Sequence, residues 1–181
     1  DLASYAKKHP GELTGGTPGI GTLSHIGWAA LEAAGVKVTV VPYKGDGDSV
    51  IAAMGGHIDL TSVSSPGAKP YVEGKKLRPL VVMGAKRYAI YPDVPTLKEL
   101  GYNVEIIAFS AIAVPKGTPQ EIKDILTEAF RKTSENSEYN KIIDQVGLEP
   151  VYFGPKEASP FIKSINDRYR DLSIKAGLKA E

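Results

Sequence analysis

The segment from Gly15 to His25 contains the residues best suited to bind a small anion. It reads Gly-Gly-Thr-Pro-Gly-Ile-Gly-Thr-Leu-Ser-His and joins a predicted strand to a predicted helix. Glycine permits backbone turns with positive φ and lets the chain approach a ligand closely. The helix start that follows offers unbonded N–H groups and the positive end of the helix dipole. With the hydroxyls of Thr22 and Ser24 added, this segment can bind an anion without a net charge of its own.

The same residues also fit a tight turn in which Thr22 caps the helix, and the segment alone does not decide between the two interpretations. A phosphate-binding loop is excluded because no Gly-Lys-Ser/Thr follows. A dinucleotide fingerprint fits poorly, because the glycines are wrongly spaced and Asp59 lies too far downstream. His25 stands in the first turn of the helix, where it either bonds a neighbouring part of the loop or touches the ligand. The structural role is favoured.

Two further polar turns follow predicted strands. In Lys44-Gly45-Asp46-Gly47-Asp48 we expect Asp46 or Asp48 to cap the next helix, since either charge would repel a carboxylate. Three serines, Ser62, Ser64 and Ser65, follow the third strand, and Ser65 is the predicted cap of a helix with Pro66 in its first position. Ligands of open α/β sheets lie beyond the carboxyl ends of the strands, so the three turns should converge.

Catalysis and metal binding find no support in the residue types. The chain has no cysteine, and its three histidines lack metal-ligand spacing. No Gly-x-Ser-x-Gly elbow is present, and nothing pairs a nucleophile with a base. The sequence therefore predicts neither an enzyme, a metal site nor a cofactor.

Charge and hydropathy exclude two classes of partner. The 22 basic and 21 acidic residues give a net charge of +1, so no global field attracts nucleic acid or a membrane surface. No apolar run approaches the ~20 residues that span a bilayer. The chain begins with Asp1 and shows no signal peptide, which we interpret as a processed or truncated end.

Strand-like and helix-like stretches alternate, which predicts an α/β protein. After Pro115-Lys116-Gly117 the pattern becomes mostly helical, beginning with a predicted capping box from Thr118 to Glu121 that has Pro119 in the first helical position. The predicted strands cover 12–15, 38–41, 58–61, 78–83, 104–108, 111–114 and a short stretch near Val151. The predicted helices cover 2–8, 23–34, the stretch from the 44–48 turn to 55–56, 65–74, 96–100, 119–134, 138–146 ended by Gly147, and the stretch from 159–160 to Gly177.

Five ordered motifs, spread over essentially the whole chain, resemble those of one family. They are Thr17 to His25, Val41-Pro42-Tyr43-Lys44-Gly45, Gly55-Gly56-His57-Ile58-Asp59-Leu60, Tyr91-Pro92-Asp93-Val94-Pro95-Thr96 and Pro115-Lys116-Gly117-Thr118-Pro119. The chain is similar to the substrate-binding proteins of tripartite tricarboxylate transporters, also called Bug proteins. Members of this family are longer, and their N-terminal part is absent from this chain.

The resemblance implies a type II periplasmic-binding-protein fold, with a mixed sheet flanked by helices and two α/β domains around a cleft. Residues 1–110 would form the α/β ligand-binding second domain, and residues 111–181 a returning strand and helices of an incomplete first domain. It also implies a periplasmic or extracytoplasmic protein that captures a small organic acid for membrane permease subunits. Dicarboxylates, tricarboxylates, amino acids and aromatic acids all remain open as the ligand. The expected ligand-binding residues are Thr17, Gly19, Ile20, Gly21, Thr22, Ser24, His25, Ser64 and Phe109.

Two alternative functions remain, and the sequence shows neither the fused DNA-binding or membrane segment that the first needs nor the nucleophile beside a base that the second needs. One is the ligand-sensing domain of a regulator or of a two-component sensor, and the other is an enzyme that uses the glycine-rich turn as an anion hole. Apolar stripes on the helices at 119–134 and 138–146 lack an obvious partner within this chain. We therefore expect the chain alone either to pair with another copy or to pack these helices irregularly, through residues such as Ile122, Ile125, Phe130, Ile142 and Ile143.

Overall fold

A three-stranded parallel sheet lies at the centre of the computed structural model, which describes residues 2–146, 148–175 and 177. Strand β1 (Thr14–Thr17) is central, with β2 (Thr39–Pro42) on one side and β3 (Leu60–Thr61) on the other. Gly15 pairs with Val40 of β2 and with Leu60 of β3. The α/β class is confirmed, and the strands paired in the described part of the chain are all parallel, whereas the prediction was a mixed sheet.

Helices surround this sheet and continue after it. Their bounds are α1 Leu2–Lys8, α2 Leu23–Ala33, α3 Asp46–Met54, α4 Ser65–Glu73, α5 Gln120–Ser134, α6 Ser137–Gln145 and α7 Pro155–Lys175.

Two consecutive glycines in β1 allow helices to approach both faces of the sheet. A Cβ atom on Gly15 would lie 3.0 Å from the indole of Trp28, in α2. On Gly16 it would overlap the Ser49 hydroxyl, in α3. Successive residues of a strand face opposite sides, so α2 and α3 cover opposite faces of β1. The predicted strand at 12–15 is therefore displaced, because the glycines assigned to the turn belong to the strand.

The core lies mainly between α2 and the sheet. Its buried members are Ala6, Ile26, Trp28, Ala30, Leu31, Val36, Val38, Leu97, Val104 and Ile106. Tyr169 and Leu172 of α7 pack against this cluster, so the last helix returns to α2. The indole N–H of Trp28 donates to the Gly16 carbonyl at 3.0 Å, which satisfies the one polar atom of that buried side chain.

Asp59 joins β3 to β1 at the edge where the strands begin. Its carboxylate accepts the backbone N–H of Thr14 at 2.8 Å and the Thr14 hydroxyl at 2.7 Å. These hydrogen bonds stabilise the charged carboxylate and hold the pKa of Asp59 below its usual value.

Several predicted strands are wrong in the described residues. Segment 104–108 forms one ladder bond to segment 78–83, from Ile106 N to Met83 O at 2.7 Å. The next residue, Ile107, instead bonds the Tyr169 hydroxyl of α7 through both its N–H and its carbonyl, which ends the ladder. Besides that bond, segment 78–83 forms an isolated bridge between Val82 and Thr96. Segment 111–114 and the stretch near 151 are exposed and pair with no strand in the described part of the chain.

Two helix starts also differ from the prediction. Helix α5 begins at Gln120 with Pro119 as its cap, because the Thr118 hydroxyl donates to the Pro115 carbonyl at 2.8 Å instead of capping the helix. Helix α7 begins at Pro155 and carries Pro160 inside it, since the Glu157 carboxylate accepts the Gly154 N–H at 2.8 Å and stabilises the earlier start.

Helix ends and one short helix need smaller corrections. Residues 96–100 form a single hydrogen-bonded turn, which Gly101 ends with φ of 86°. Helix α7 ends at Lys175, two residues before the predicted Gly177. The predicted end of α6 at Gly147 lies outside the described residues.

Candidate functional site

Three polar loops meet at the edge of the sheet where the strands end, here called the carboxyl edge. The glycine loop (residues 18–22) follows β1, and the loops 43–45 and 62–64 follow β2 and β3. Backbone bonds extend the ladder into both neighbours, from Tyr43 N to Thr17 O at 2.8 Å and from Ser62 N to Gly16 O at 3.0 Å. The predicted convergence of the three turns is therefore present.

Two threonine hydroxyls shape the glycine loop from inside. Thr22 caps α2, since its Oγ1 accepts the His25 N–H at 3.4 Å and donates to the Gly19 carbonyl at 2.8 Å. Thr17 is fully buried, and its Oγ1 lies 3.2 Å from the Thr22 Oγ1. Both hydroxyls are thus turned into the loop, and their hydrogen bonds fix its conformation.

His25 holds the turn of the loop. The backbone N–H of Gly21, whose φ is 77°, donates to the Nδ1 of His25 at 3.0 Å. A neutral imidazole whose Nδ1 accepts a hydrogen bond carries its hydrogen on Nε2. The bond therefore sets the tautomer of the ring, and it occupies the N–H of Gly21.

Other hydrogen-bond donors of the loop have no acceptor among the described residues. Leu23 and Ser24 occupy the first turn of α2, where a backbone N–H has no intrahelical acceptor. Among the described residues, nothing accepts the N–H groups of Gly19 and Ile20 or the hydrogen of the Ser24 hydroxyl. The side chain of Ile20 is 67% exposed at the loop. The arrangement can bind a carboxylate through N–H groups that point out of a helix start.

Ser64 is hydrogen-bonded to Asp46 of α3. It, rather than the predicted Ser65, caps α4, because its Oγ accepts the Gly67 N–H at 3.1 Å. The same hydroxyl donates to the Asp46 carboxylate, which also accepts the Ser64 N–H at 3.2 Å. The hydroxyl of Ser64 is therefore engaged both as a donor and as an acceptor.

The aspartates at the second loop are not helix caps, contrary to the prediction. Gly45 caps α3 without a side-chain bond, and both Asp46 and Asp48 lie in the first turn of that helix. Asp46 does not cap α3, because its carboxylate accepts the N–H and the hydroxyl of Ser64 at the start of α4 instead. Negative side chains in a first turn still stabilise the positive end of the helix dipole.

Phe109 belongs to an aromatic cluster. Its ring meets Phe161 of α7 edge to face, with 5.4 Å between the ring centres. The ring of Phe153 also packs against Phe161, with 4.8 Å between the ring centres. The described ring contacts of Phe109 are thus to α7 and do not connect it to the glycine loop.

An open groove of about 630 Å³ lies beside the second loop. It is lined by Pro42, Tyr43, Lys44, Asp48, Ile51, Ala52 and His57. No sequence pattern predicts this groove. Its apolar wall includes Ile51 on the exposed side of α3, and no local signal marks Ile51 as part of a groove.

Two negative findings apply to the part of the chain that the structure describes. It contains no group of three or more His, Asp or Glu side chains able to hold a metal ion. None of its helices combines the length and apolar character needed to cross a membrane.

Comparisons with known proteins show which family and which solved structures the chain is similar to. A family model described as "Tripartite tricarboxylate transporter family receptor" matches residues 1–178. A protein of Cupriavidus necator, called the UPF0065 protein in the gbd 5′ region, is 36% identical over 98% of this chain and 54% of its own length. The chain thus spans about half the length of the curated relatives it matches.

Two solved structures are similar to the fold. That of R. palustris Rpa4515 with adipate superposes with a TM-score of 0.86 at 28% identity, over 97% of this chain and 60% of the other. The periplasmic binding protein BugD gives 0.83 at 27% identity, over 99% of this chain and 62% of BugD. These likenesses support the predicted type II periplasmic-binding-protein fold.

Proposed function

The chain belongs to the tripartite tricarboxylate transporter receptor family, and from this premise we propose that it forms one wall of a site for a small organic carboxylate. The opposite wall would come from the remainder of such a receptor, since relatives are about twice as long. The similar R. palustris protein was solved with adipate, which favours an organic acid as the ligand class. The receptor would bind its ligand without changing it and deliver it to membrane permease subunits.

The observation that carries the proposal is the set of unpartnered N–H groups in the glycine loop and in the first turn of α2. A negative charge near such a helix end gains roughly 0.3–1 kcal/mol, and up to about 2 kcal/mol when partly buried. Hydrogen bonds to a charged oxygen add to this attraction. In this arrangement Gly19, Ile20 and Ser24 would contact the ligand. Thr17, Gly21, Thr22 and His25 would hold the loop in shape, while direct contact by Ser64 and Phe109 stays a prediction.

A periplasmic location agrees with the family and with the periplasmic binding protein among the similar structures. No charge excess of the chain points to a nucleic acid partner, because its net charge is +1.

We also propose that the helical part after residue 110 completes a second domain together with sequence outside this chain. The apolar side chains of Ile125 on α5 and Ile142 on α6 are 59% and 58% exposed, which is unfavourable at ~25 cal/mol per Å² of apolar surface. Helix α7 differs from them, since its Tyr169 and Leu172 pack on the core of the first 110 residues. The isolated chain would cover α5 and α6 by pairing with a second copy.

The glycine loop can be tested by replacing Gly21 with valine in the intact protein that contains this chain. A side chain at φ of 77° costs at least about 1–2 kcal/mol in the left-handed region, so the loop should leave its conformation. Gly35→Val is the matched control, because Gly35 has φ of 83°, equally open space and a position at the far end of α2. Calorimetry with C4 to C7 dicarboxylates should detect binding to the parent and to the control but not to Gly21→Val.

Equal affinity of both variants would remove the glycine loop from the site. Mass spectrometry of ligands released from the freshly purified parent protein would identify the acid.

A further inference from the structure

We infer that the hydroxyl of Ser62 is a further ligand contact and donates to the carboxylate that the glycine loop holds. The inference rests on the proposed function and adds a specificity-determining residue to the same site. Ser62 follows β3 directly, and the observations that assign it are its register, the face on which it lies and the hydrogen-bond partners of its neighbours.

The register puts Ser62 beside the last residue of β1. Gly16 pairs with Thr61, and the Ser62 N–H donates to the Gly16 carbonyl at 3.0 Å. The parallel ladder therefore continues one residue past β3, and Ser62 lies next to Thr17. Thr17 leads directly into the glycine loop, so Ser62 is a lateral neighbour of the point where that loop begins.

Strand alternation gives the face. The Thr61 hydroxyl bonds the buried Ser49 hydroxyl of α3 at 2.6 Å, so Thr61 faces the α3 side of the sheet. The next residue of an extended segment faces the opposite side. Ser62 thus shares the α2 side with Thr17, whose hydroxyl lies 3.2 Å from the cap of α2 at Thr22. This is the side of the sheet that α2 covers.

Most hydroxyls of the carboxyl edge are already engaged. Thr17 and Thr22 are bonded inside the glycine loop, Thr61 bonds Ser49, and Ser64 bonds Asp46. Within the described residues the Ser62 hydroxyl has no hydrogen-bond partner, although the residue is half-buried. The Ser65 hydroxyl is also unpartnered and buried, but Ser65 lies beyond the cap of α4, where the ladder no longer defines its position.

The N–H groups of the glycine loop and the Ser62 hydroxyl together suit a carboxylate ligand. A carboxylate accepts hydrogen bonds at two oxygens with about four lone-pair positions. One oxygen can accept from the N–H groups of the loop while the other accepts from the Ser62 hydroxyl. In the uncharged amide of the same acid an NH2 donor replaces one carboxylate oxygen, so the site should discriminate against it.

The test measures dicarboxylate binding to the intact protein and to Ser62→Ala, using the C4 to C7 acid that the parent binds most tightly. Removing a hydrogen bond to a charged group should weaken binding about 10- to 100-fold. Ser62→Thr keeps the hydroxyl and should retain most of the affinity. Ser164→Ala, on the exposed side of α7, is the matched control and should bind as the parent does.

Each other outcome has a defined meaning. Parent-like affinity of Ser62→Ala, while Gly21→Val loses binding, would overturn this inference and leave the proposed function intact. A loss confined to Ser65→Ala would show that the register argument chose the wrong serine. No binding of any acid by the folded parent would remove both the proposed function and this inference.

Discussion

Replacing Gly16 with alanine should destabilise the protein strongly, because the centre of the sheet has no room for a methyl group. The new Cβ would lie 2.6 Å from Ile58 Cδ1 and would overlap the Ser49 hydroxyl. Ser49 is fully buried and bonds Thr61 at 2.6 Å, so it cannot move aside without losing that bond. β1 cannot retreat either, since it is paired on both sides.

The loss of stability expected for Gly16→Ala has two contributions. Overpacking of a well-packed interior costs about 1–3 kcal/mol, and the displaced hydrogen bond between Ser49 and Thr61 adds about 1 kcal/mol. We therefore expect Gly16→Ala to lower the free energy of unfolding by about 2–4 kcal/mol, measured by urea denaturation as a shift of the midpoint at constant slope.

Gly47→Ala is the matched control. Gly47 lies in the first turn of α3 with nothing near its missing Cβ. The same substitution there should be neutral or stabilise the protein by up to about 1 kcal/mol. In the Gly16→Ala background, Ser49→Ala should recover part of the loss, because it removes the overlapping oxygen. Unchanged stability of Gly16→Ala would refute the packing argument for β1.

Two further predictions concern the helical part of the chain. Tyr169→Phe removes the hydroxyl that bonds both backbone groups of Ile107 and should lower the free energy of unfolding by about 1–3 kcal/mol in thermal denaturation, while Tyr139→Phe on the exposed side of α6 should change little. An equal effect of the two variants would contradict this role of Tyr169. The isolated 181-residue chain should be dimeric or larger by light scattering, and Ile125→Lys with Ile142→Lys should shift it toward the monomer, whereas Ile174→Lys should not. A monodisperse monomer before any substitution would show that these side chains need no partner.

Local signals in the sequence predicted much of the α/β part. Hydrophobic periodicity identified α2 and α5, and Thr22 caps α2 as its position before the apolar stripe indicated. The glycine loop was recognisable because φ values such as the 77° of Gly21 require glycine. The contact of His25 with that loop is one of the two roles that its place in the first turn allowed.

The misses arise from contacts between residues far apart in sequence. Nothing near Ile107 indicates that a tyrosine 62 positions later takes its backbone bonds, so segment 104–108 was predicted as a strand. Glycine has a low strand propensity, and only the approach of α2 and α3 explains Gly15 and Gly16 inside β1. The engagement of Ser64 by Asp46 likewise depends on how α3 and α4 pack, which no local pattern contains.

The return of α7 to α2 has a consequence for the order in which the protein can fold during synthesis. Leu31 and Leu172, which pack in the same core, are separated by about 140 residues. Ribosomes add about 5–20 residues per second, so the interval between their synthesis is about 7–28 s. Throughout that interval the α2 side of the core lacks its last cover, and the backbone groups of Ile107 lack the Tyr169 hydroxyl. The first hundred residues therefore reach their final packing only when the last helix has left the ribosome.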